Sequence, residues 1–341
     1  MVELAGAPPE TLRAFAGIDP DAVRWAQILA VFAEQGNAAV TPPMAGAWHV
    51  ADGRVRFTPR FPLEPGVRYR AEFRAGDAPP VVSFFEMPAD TAAPTTVVTR
   101  IFPSAAVLPE NQLKFYVHFS APMSRGGTYE HVHLRDAAGQ PVELPFLELD
   151  EELWDPSMTR LTLLIDPGRI KRGVKPLEDI GPVFEEGKNY ALTLGVACRD
   201  AAGRVLRAGF EKRFRAGATD RTAPDPRRWK VSAPAAGTRA ALVVEFDEPM
   251  DQALALRLIH VVAKADGVGA VDGVCALAEE ERRWTFVPES PWTRGRHELT
   301  VGTTIEDLAG NNIGKTFDVD LEDDAPRQFV AGHVSVVFEV R

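Results

Sequence analysis

Two five-residue runs, Phe119–Met123 (FSAPM) and Phe246–Met250 (FDEPM), each close a stretch of alternating apolar residues. Leu113, Phe115, Val117 and Phe119 alternate in the first, and Leu242, Val244 and Phe246 in the second. A period of two marks a half-buried strand, because successive side chains point to opposite faces. The segments downstream of the two runs also match. Arg160–Leu163 leads to Gly187–Leu194, and Arg283–Pro288 leads to Gly295–Val301, each reading as strand, turn, strand. Tyr190 stands ten positions before Asp200, and His297 ten before Asp307, at the head of the loops Asp200–Gly203 and Asp307–Asn312. Equal spacing of this kind predicts an internal repeat of one β-domain. A weaker third copy is read at Thr41–Met44 (TPPM), with Gly53–Pro59 and Gly66–Phe73 as its strand, turn and strand.

The joints repeat as well. Asp90–Pro94 precedes the second copy and Asp220–Pro224 the third. Proline fixes φ and stiffens such links. The predicted domains are therefore 1–92, 93–219 and 220–341. The first opens with a short helical segment, for which Asp19-Pro20-Asp21 and Pro9-Glu10-Thr11 are the start signals. A strand follows from about Ile28. The second carries an insertion over 166–186, with Arg169, Lys171, Arg172 and Lys175 as its basic residues. It reads either as a flap over a sheet edge or neighbouring domain, or as a contact surface. The third is expected to finish with a strand at Thr316–Leu321. The alternating tail His333–Val340 then becomes an extra strand beyond it.

The 28 prolines and 27 glycines are spread among turns, as many short strands require. A net charge of −10 argues against nucleic acid or an anionic membrane as the main partner. No apolar run approaches the roughly 20 residues that span a bilayer. The start, MVELAGAPPE, has neither a basic nor an apolar leader region, so the chain is either cytoplasmic or matured from a longer precursor. Cys198 and Cys275 fall in different copies and are expected as buried free thiols.

The run F-(S/D)-(A/E)-P-M, the Gly-x-x-Tyr-x-Leu-type turn, the D-x-A-G-N loop and the D-x-x-A-P joint together resemble the Ig-like domains of bacterial S-layer and other surface proteins. The resemblance covers about 105–322, is loose over 28–88, and implies an all-β chain of tandem antiparallel Ig-like sandwiches. It further implies export or a cell-envelope location, a non-catalytic role in binding, adhesion or spacing, and a protein or glycan partner. A monomer is expected. Tyr69 and Tyr190 resemble corner tyrosines whose hydroxyl reaches backbone, with His297 a structural stand-in.

Chemistry is sparse. His131 and His133, two apart on an expected strand, would share a face and could reach one zinc or copper ion, with His118 and Glu130 nearby. No cofactor is expected, except that calcium at the domain joints would find oxygen donors in Asp200, Asp220, Asp307 and Asn311. The carboxylates Glu148, Asp150, Glu151, Glu152 and Asp155 read as an acid–base pair or as a solvated rim. Trp154, with Trp48, Trp229 and Trp292, offers a platform for sugar rings. Trp284 reads as core.

Overall fold

The structure is a computed structural model. It describes every residue except 1, 5–11, 14, 16, 19–23, 35–41, 62, 64–65, 75–78, 88–92, 148, 150, 174, 265–268 and 318–331. The helix signals at 9–11 and 19–21, the joint residues Asp90–Ala92, and Glu148 and Asp150 lie outside the described residues. The chain falls into two compact units, one built on 1–93 with 201–204, the other on 94–200 and 205–341.

The second unit holds two sandwiches. In the first of them the strands are β7 (Val98–Phe102), β8 (Val107–Pro109), β9 (Lys114–Phe119), β10 (Val132–Asp136), β11 (Leu153–Trp154), β12 (Arg160–Leu164), β13 (Asn189–Leu194) and β14 (Phe210–Gly217). They form two sheets, β11-β12-β9-β7 and β10-β13-β14-β8. Lettered A to G, with β8 as a continuation of A, this is the ABED-on-CFG order of an Ig-like sandwich. The other sandwich has β15 (Lys230–Ser232), β16 (Leu242–Glu245), β17 (Ile259–Ala263), β18 (Gly269–Ala270), β19 (Gly273–Ala278), β20 (Arg283–Pro288), β21 (Gly295–Gly302) and β22 (His333–Val340). Its sheets are β15-β16-β20-β19 and β18-β17-β21-β22, the same ABED-on-CFG plan with β18 added outside strand C and, among the described residues, no counterpart of β8 beside strand G.

The unit built on residues 1–93 has β1 (Val2–Leu4), β2 (Leu29–Glu34), β3 (Gly46–Ala51), β4 (Arg54–Pro59), β5 (Arg68–Phe73) and β6 (Val81–Glu86). Its sheets are β1-β4-β3 and β2-β5-β6. These are strands B, E, D and C, F, G. Among the described residues there is no strand A.

Three devices recur in all three sandwiches. A short helical turn leads directly into strand C: Arg24–Ile28 before β2, Thr128–His131 before β10, Gln252–Leu258 before β17. A ring on strand F stacks on a phenylalanine of strand G: Tyr69 on Phe85, Tyr190 on Phe214, His297 on Phe338, at 5.4, 5.8 and 5.5 Å between centroids. Inward residues of strand E sit at the core centre, Val55 and Phe57, Leu161 and Leu163, Trp284 and Phe286. The Pro-Met motif and the Asp loop join by a backbone bridge in both later copies, Met123 to Asp200 and Met250 to Asp307. That bridge holds the two motifs together in space in both copies, although 77 residues separate them in one and 57 in the other.

Two expectations are corrected. TPPM at 41–44 is no third copy of the motif, because FSAPM and FDEPM follow strand B, whereas TPPM lies between strands C and D. There Met44 N–H donates to Val31 O at 2.8 Å and its side chain packs on the core. And the tail His333–Val340 is strand G itself, paired with β21 along eight residues. Thr316 and Phe317 are not strand, and the rest of 316–321 lies outside the described residues.

Candidate functional site

The polar residues converge where β9 and its loops meet the sandwich that follows. Asp251, next after FDEPM, accepts from Leu254 N–H at 2.9 Å and so caps the helix Gln252–Leu258. Its carboxylate also takes the Tyr116 hydroxyl, at 2.9 and 2.7 Å, and the Lys114 ammonium at 3.0 Å. Lys114 reaches Glu306 as well, at 2.6 Å. Burial works against the Lys114 charge, but the carboxylates of Asp251 and Glu306 overcome it and raise its pKa. Tyr116 is held neutral, by burial first and Asp251 second. A charged acceptor with two donors in a nearly dry setting is the strong kind of hydrogen bond.

Glu281 makes a second tie. Glu279, Glu280 and Glu281 occupy the left-handed region at φ 52°, 56° and 63°, a rare run for non-glycine residues. The turn aims the buried Glu281 carboxylate at Ser104, whose N–H and hydroxyl both donate to it, at 2.7 and 2.6 Å. Strain held in a turn that carries an inter-domain contact fits the rule that such geometry persists only where surroundings enforce it. Asn111 adds a third tie, giving its amide to Asp220 O at 2.6 Å and accepting from Asp220 N–H at 2.8 Å.

Beside these ties, oxygens of Asp220, Glu248 and Asp307 lie within 4.8 Å of one another. Asp307 is 2% exposed, and its carboxylate ties its own loop through Ala309 N–H, Asn311 N–H and the Asn311 amide. Burial pushes Asp307 up to about 7, with Asp220 adding to the shift. Burial, then Asp307 and Asp220, push Glu248 up to about 8. Glu248 Oε1 is a buried oxygen with no hydrogen-bond partner among the described residues. Of the four oxygen donors named from sequence, Asp220, Asp307 and Asn311 come together here. Asp200 does not: it sits in the equivalent loop of the preceding sandwich, accepting from the Thr96 hydroxyl at 2.8 Å. Glu248 was missed. It lies inside FDEPM, where the sister motif has Ala121.

The histidines are not brought together as expected. His131 closes a 3-10 turn and only His133 belongs to a strand, so the two do not share a strand face. His118 is on β9, in the opposite sheet. Arg169 is 5% exposed, and its guanidinium donates to the carbonyls of Glu143, Leu144, Gly181 and Pro182. It is therefore a fastener of the insertion, not part of a contact surface. Ile170, Val183 and Phe184 of the same insertion are plugged into the core. Lys171, Arg172 and Lys175 are exposed, and the Lys171 ammonium stands 4.7 Å from the Phe317 ring centroid. The aromatic platform is overturned: Trp48, Trp229 and Trp292 are buried, and half-buried Trp154 packs on Phe119 and donates to Glu152 at 2.7 Å. Glu152 also accepts from Gly126 and Thr128 N–H, and Asp155 from Thr159 and Arg160 N–H. These acids fasten loops. Tyr190 OH accepts from Glu185 N–H at 2.9 Å, and His297 Nδ1 stands 3.0 Å from Gly295 O, so both meet backbone as corner residues. Cys198 is a buried free thiol, while free Cys275 is only half-buried.

No protein-family profile matches the chain, and no curated protein matches it. Solved structures that align with it include domains MG0-NIE-MG1 of Escherichia coli alpha-2-macroglobulin, at 11% identity and TM-score 0.24, over 60% of this chain and 65% of that one. Domains FN1–FN3 of chicken CNTN1 align at 11% identity and TM-score 0.22, over 92% and 90%. Domains 4–9 of the surface layer protein SbsC align at 10% and TM-score 0.22, over 95% of this chain and 40% of theirs. The chain thus spans less than two thirds of the first and the last. Overlaps this weak carry nothing beyond the fold, which the sheet order already defines: the chain is built of tandem Ig-like β-sandwiches. No described helix is long and apolar enough to cross a membrane.

Proposed function

We propose that this chain is a non-catalytic Ig-like module of the cell envelope or exterior, of the surface-protein type, that binds a protein partner and acts as a stiff spacer. The observation that supports it is the triple tie between the last two sandwiches: Tyr116 and Lys114 to Asp251, Ser104 to Glu281, Asn111 to Asp220. Three separated ties fix an angle where a single linker would leave a hinge. The proposed division is 1–92, 93–219 and 220–341. The exposed Lys171, Arg172 and Lys175 are the proposed partner-facing residues of the insertion. Spin labels at Val196→Cys and Glu289→Cys, in a Cys198→Ser, Cys275→Ser background, test the stiffness. A narrow distance distribution in the full chain is expected; a broad one overturns the spacer reading.

A second reading is favoured by the orphaned, buried Oε1 of Glu248. Asp220, Glu248 and Asp307 are hard oxygen donors, and a calcium ion there would relieve their mutual repulsion and stiffen the same joint. The melting temperature is expected to rise in millimolar calcium over EDTA, and the rise to vanish in Glu248→Gln. An unchanged melting temperature removes the calcium.

A further inference from the structure

One position before the Pro-Met motif, the outward face of strand B carries an acid in one sandwich and none in its sister. Glu245 immediately precedes FDEPM, and His118 immediately precedes FSAPM. Glu245 pairs across the sheet with Lys230 of strand A and Arg283 of strand E. His118 pairs in the same places with Arg100 and Arg160. The two rows therefore read cation, acid, cation and cation, imidazole, cation. Directly opposite side chains on neighbouring strands stand about 5 Å apart at Cβ, where like charges are destabilising.

The strand-E arginine recurs in all three sandwiches, just before the inward pair of core residues: Arg54, Arg160 and Arg283. Two of the three hold a strand-B carboxylate. Arg54 takes Glu3 at 2.7 Å and Arg283 takes Glu245 at 3.1 Å. Arg160 and Arg100 have no carboxylate partner among the described residues. Their guanidinium groups lie over the Tyr116 and Phe102 rings, 5.3 and 5.5 Å from the centroids. The acids nearby are committed elsewhere. Asp155 accepts from the Ser157 hydroxyl and from the N–H groups of Thr159 and Arg160. Asp251 holds Tyr116 and Lys114. Burial, then Arg160, with Arg100 behind them, push the His118 pKa below the ordinary imidazole value, against the opposing pull of Asp155 and the Gln252 amide. At pH 7 the imidazole is therefore neutral, and the row carries two guanidinium charges with no acid between them.

We propose that the row Arg100–His118–Arg160 takes its missing acid from outside: an aspartate or glutamate side chain of a protein partner seats over His118, between the two guanidinium groups. The sister row supplies the template, the Glu245 carboxylate on Arg283. Arg100 is exposed, and His118 and Arg160 are half-buried, so the row is open to a partner's side chain. A guanidinium presents a planar fork of donors that matches a carboxylate, and a ring beneath it fixes its plane. The inference rests on the reading of the chain as a protein-binding module, but names a surface apart from Lys171, Arg172 and Lys175. Binding read at His118 can fail while the insertion binds, and the reverse.

The test follows the His118 ring by NMR in the full chain while the hexapeptide GSEESG is added, with GSQQSG and inorganic phosphate as comparison arms. GSEESG is expected to shift His118 saturably, with a Kd of about 1 mM, and to raise its proton affinity about tenfold, because an opposite charge within ~5 Å favours the charged ring. GSQQSG is expected to leave it unmoved. Arg100→Gln and Arg160→Gln should each weaken binding by up to about fivefold, and Lys230→Gln in the sister row should not. His118→Glu supplies the acid from within, and should abolish binding as followed at the arginine Nε–H resonances. No saturable shift at about 10 mM GSEESG overturns the proposal. So does binding indifferent to both arginine changes, an equal response to GSQQSG, or a His118→Glu chain that binds as the parent does. Phosphate that binds the row where GSEESG does not also overturns it, in favour of a free oxyanion.

Discussion

The sandwich of residues 2–87 and the one of residues 230–340 share a feature of the D–E hairpin, though its connection is two residues in the first and four in the second. Gly46 stands opposite Pro59 and Gly273 opposite Pro288. A Cβ on either glycine would meet the ring of the strand-E phenylalanine, Phe57 or Phe286, at 2.4 and 2.5 Å. The two differ in closure. In the later sandwich strand A covers strand B and Trp284 is fully buried; in the earlier one, among the described residues, no strand lies on that flank of strand B, and Val81 is exposed. The lesson is that the pleat, the helix before strand C and the F–G ring stack recur in both, whereas the burial of strand G does not: Phe338 is buried and Phe85 half-buried.

The largest test of that difference is Trp284→Ala. Emptying a sealed site should cost about 3–5 kcal/mol, against less than about 0.5 kcal/mol for Val81→Ala at an exposed position. Denaturant melts of the full chain read both, and equal losses would break the comparison. Gly46→Ala and Gly273→Ala sharpen it from the shared side. Each forces a methyl against a ring and a carbonyl, and each should cost about 1–3 kcal/mol. A loss at one glycine only would mean the two hairpins are not equivalent.

The joint is expected to respond more weakly. Tyr116→Phe keeps the ring and removes the donor to Asp251, for a loss of about 1.5–3 kcal/mol in the last two sandwiches. The melting of the first should not move. A pH scan in EDTA comes next. Glu248 and Asp307 have folded pKa values of about 8 and about 7, against about 4 when unfolded. Between those limits the folded state binds more protons, so stability is gained as pH falls through 8 and 7 and lost as pH rises through them. The melting temperature of the last two sandwiches should therefore rise from pH 9 to pH 6, and Glu248→Gln should flatten the rise. A curve that falls over that range would contradict the shifts.

Much of this was legible in the residues. FSAPM and FDEPM, with the Asp loops ten positions after Tyr190 and His297, mark the repeat because one backbone bridge, Met123–Asp200 or Met250–Asp307, joins the two motifs. TPPM misled because Pro-Met alone is only a turn; the helix leading into strand C is what distinguishes the true motif. Thr316–Leu321 and His333–Val340 alternate equally well, so period alone could not choose strand G. Arg169 looked like a surface cation because charge is visible in sequence and burial is not. Glu248 was discoverable: the two copies of the motif differ at that position, glutamate against alanine, and a joint aspartate and a loop aspartate were already marked beside it.

The central claim, one sandwich plan executed with a buried strand-G face in the later copies and a more exposed one in the first, is tested most directly by native-state amide exchange on the full chain. Exchange in β6 should be faster than in β14 and β22 by orders of magnitude, since opening free energies follow local burial. Equal protection of the three G strands would show that the strand-G face of the first sandwich is buried after all.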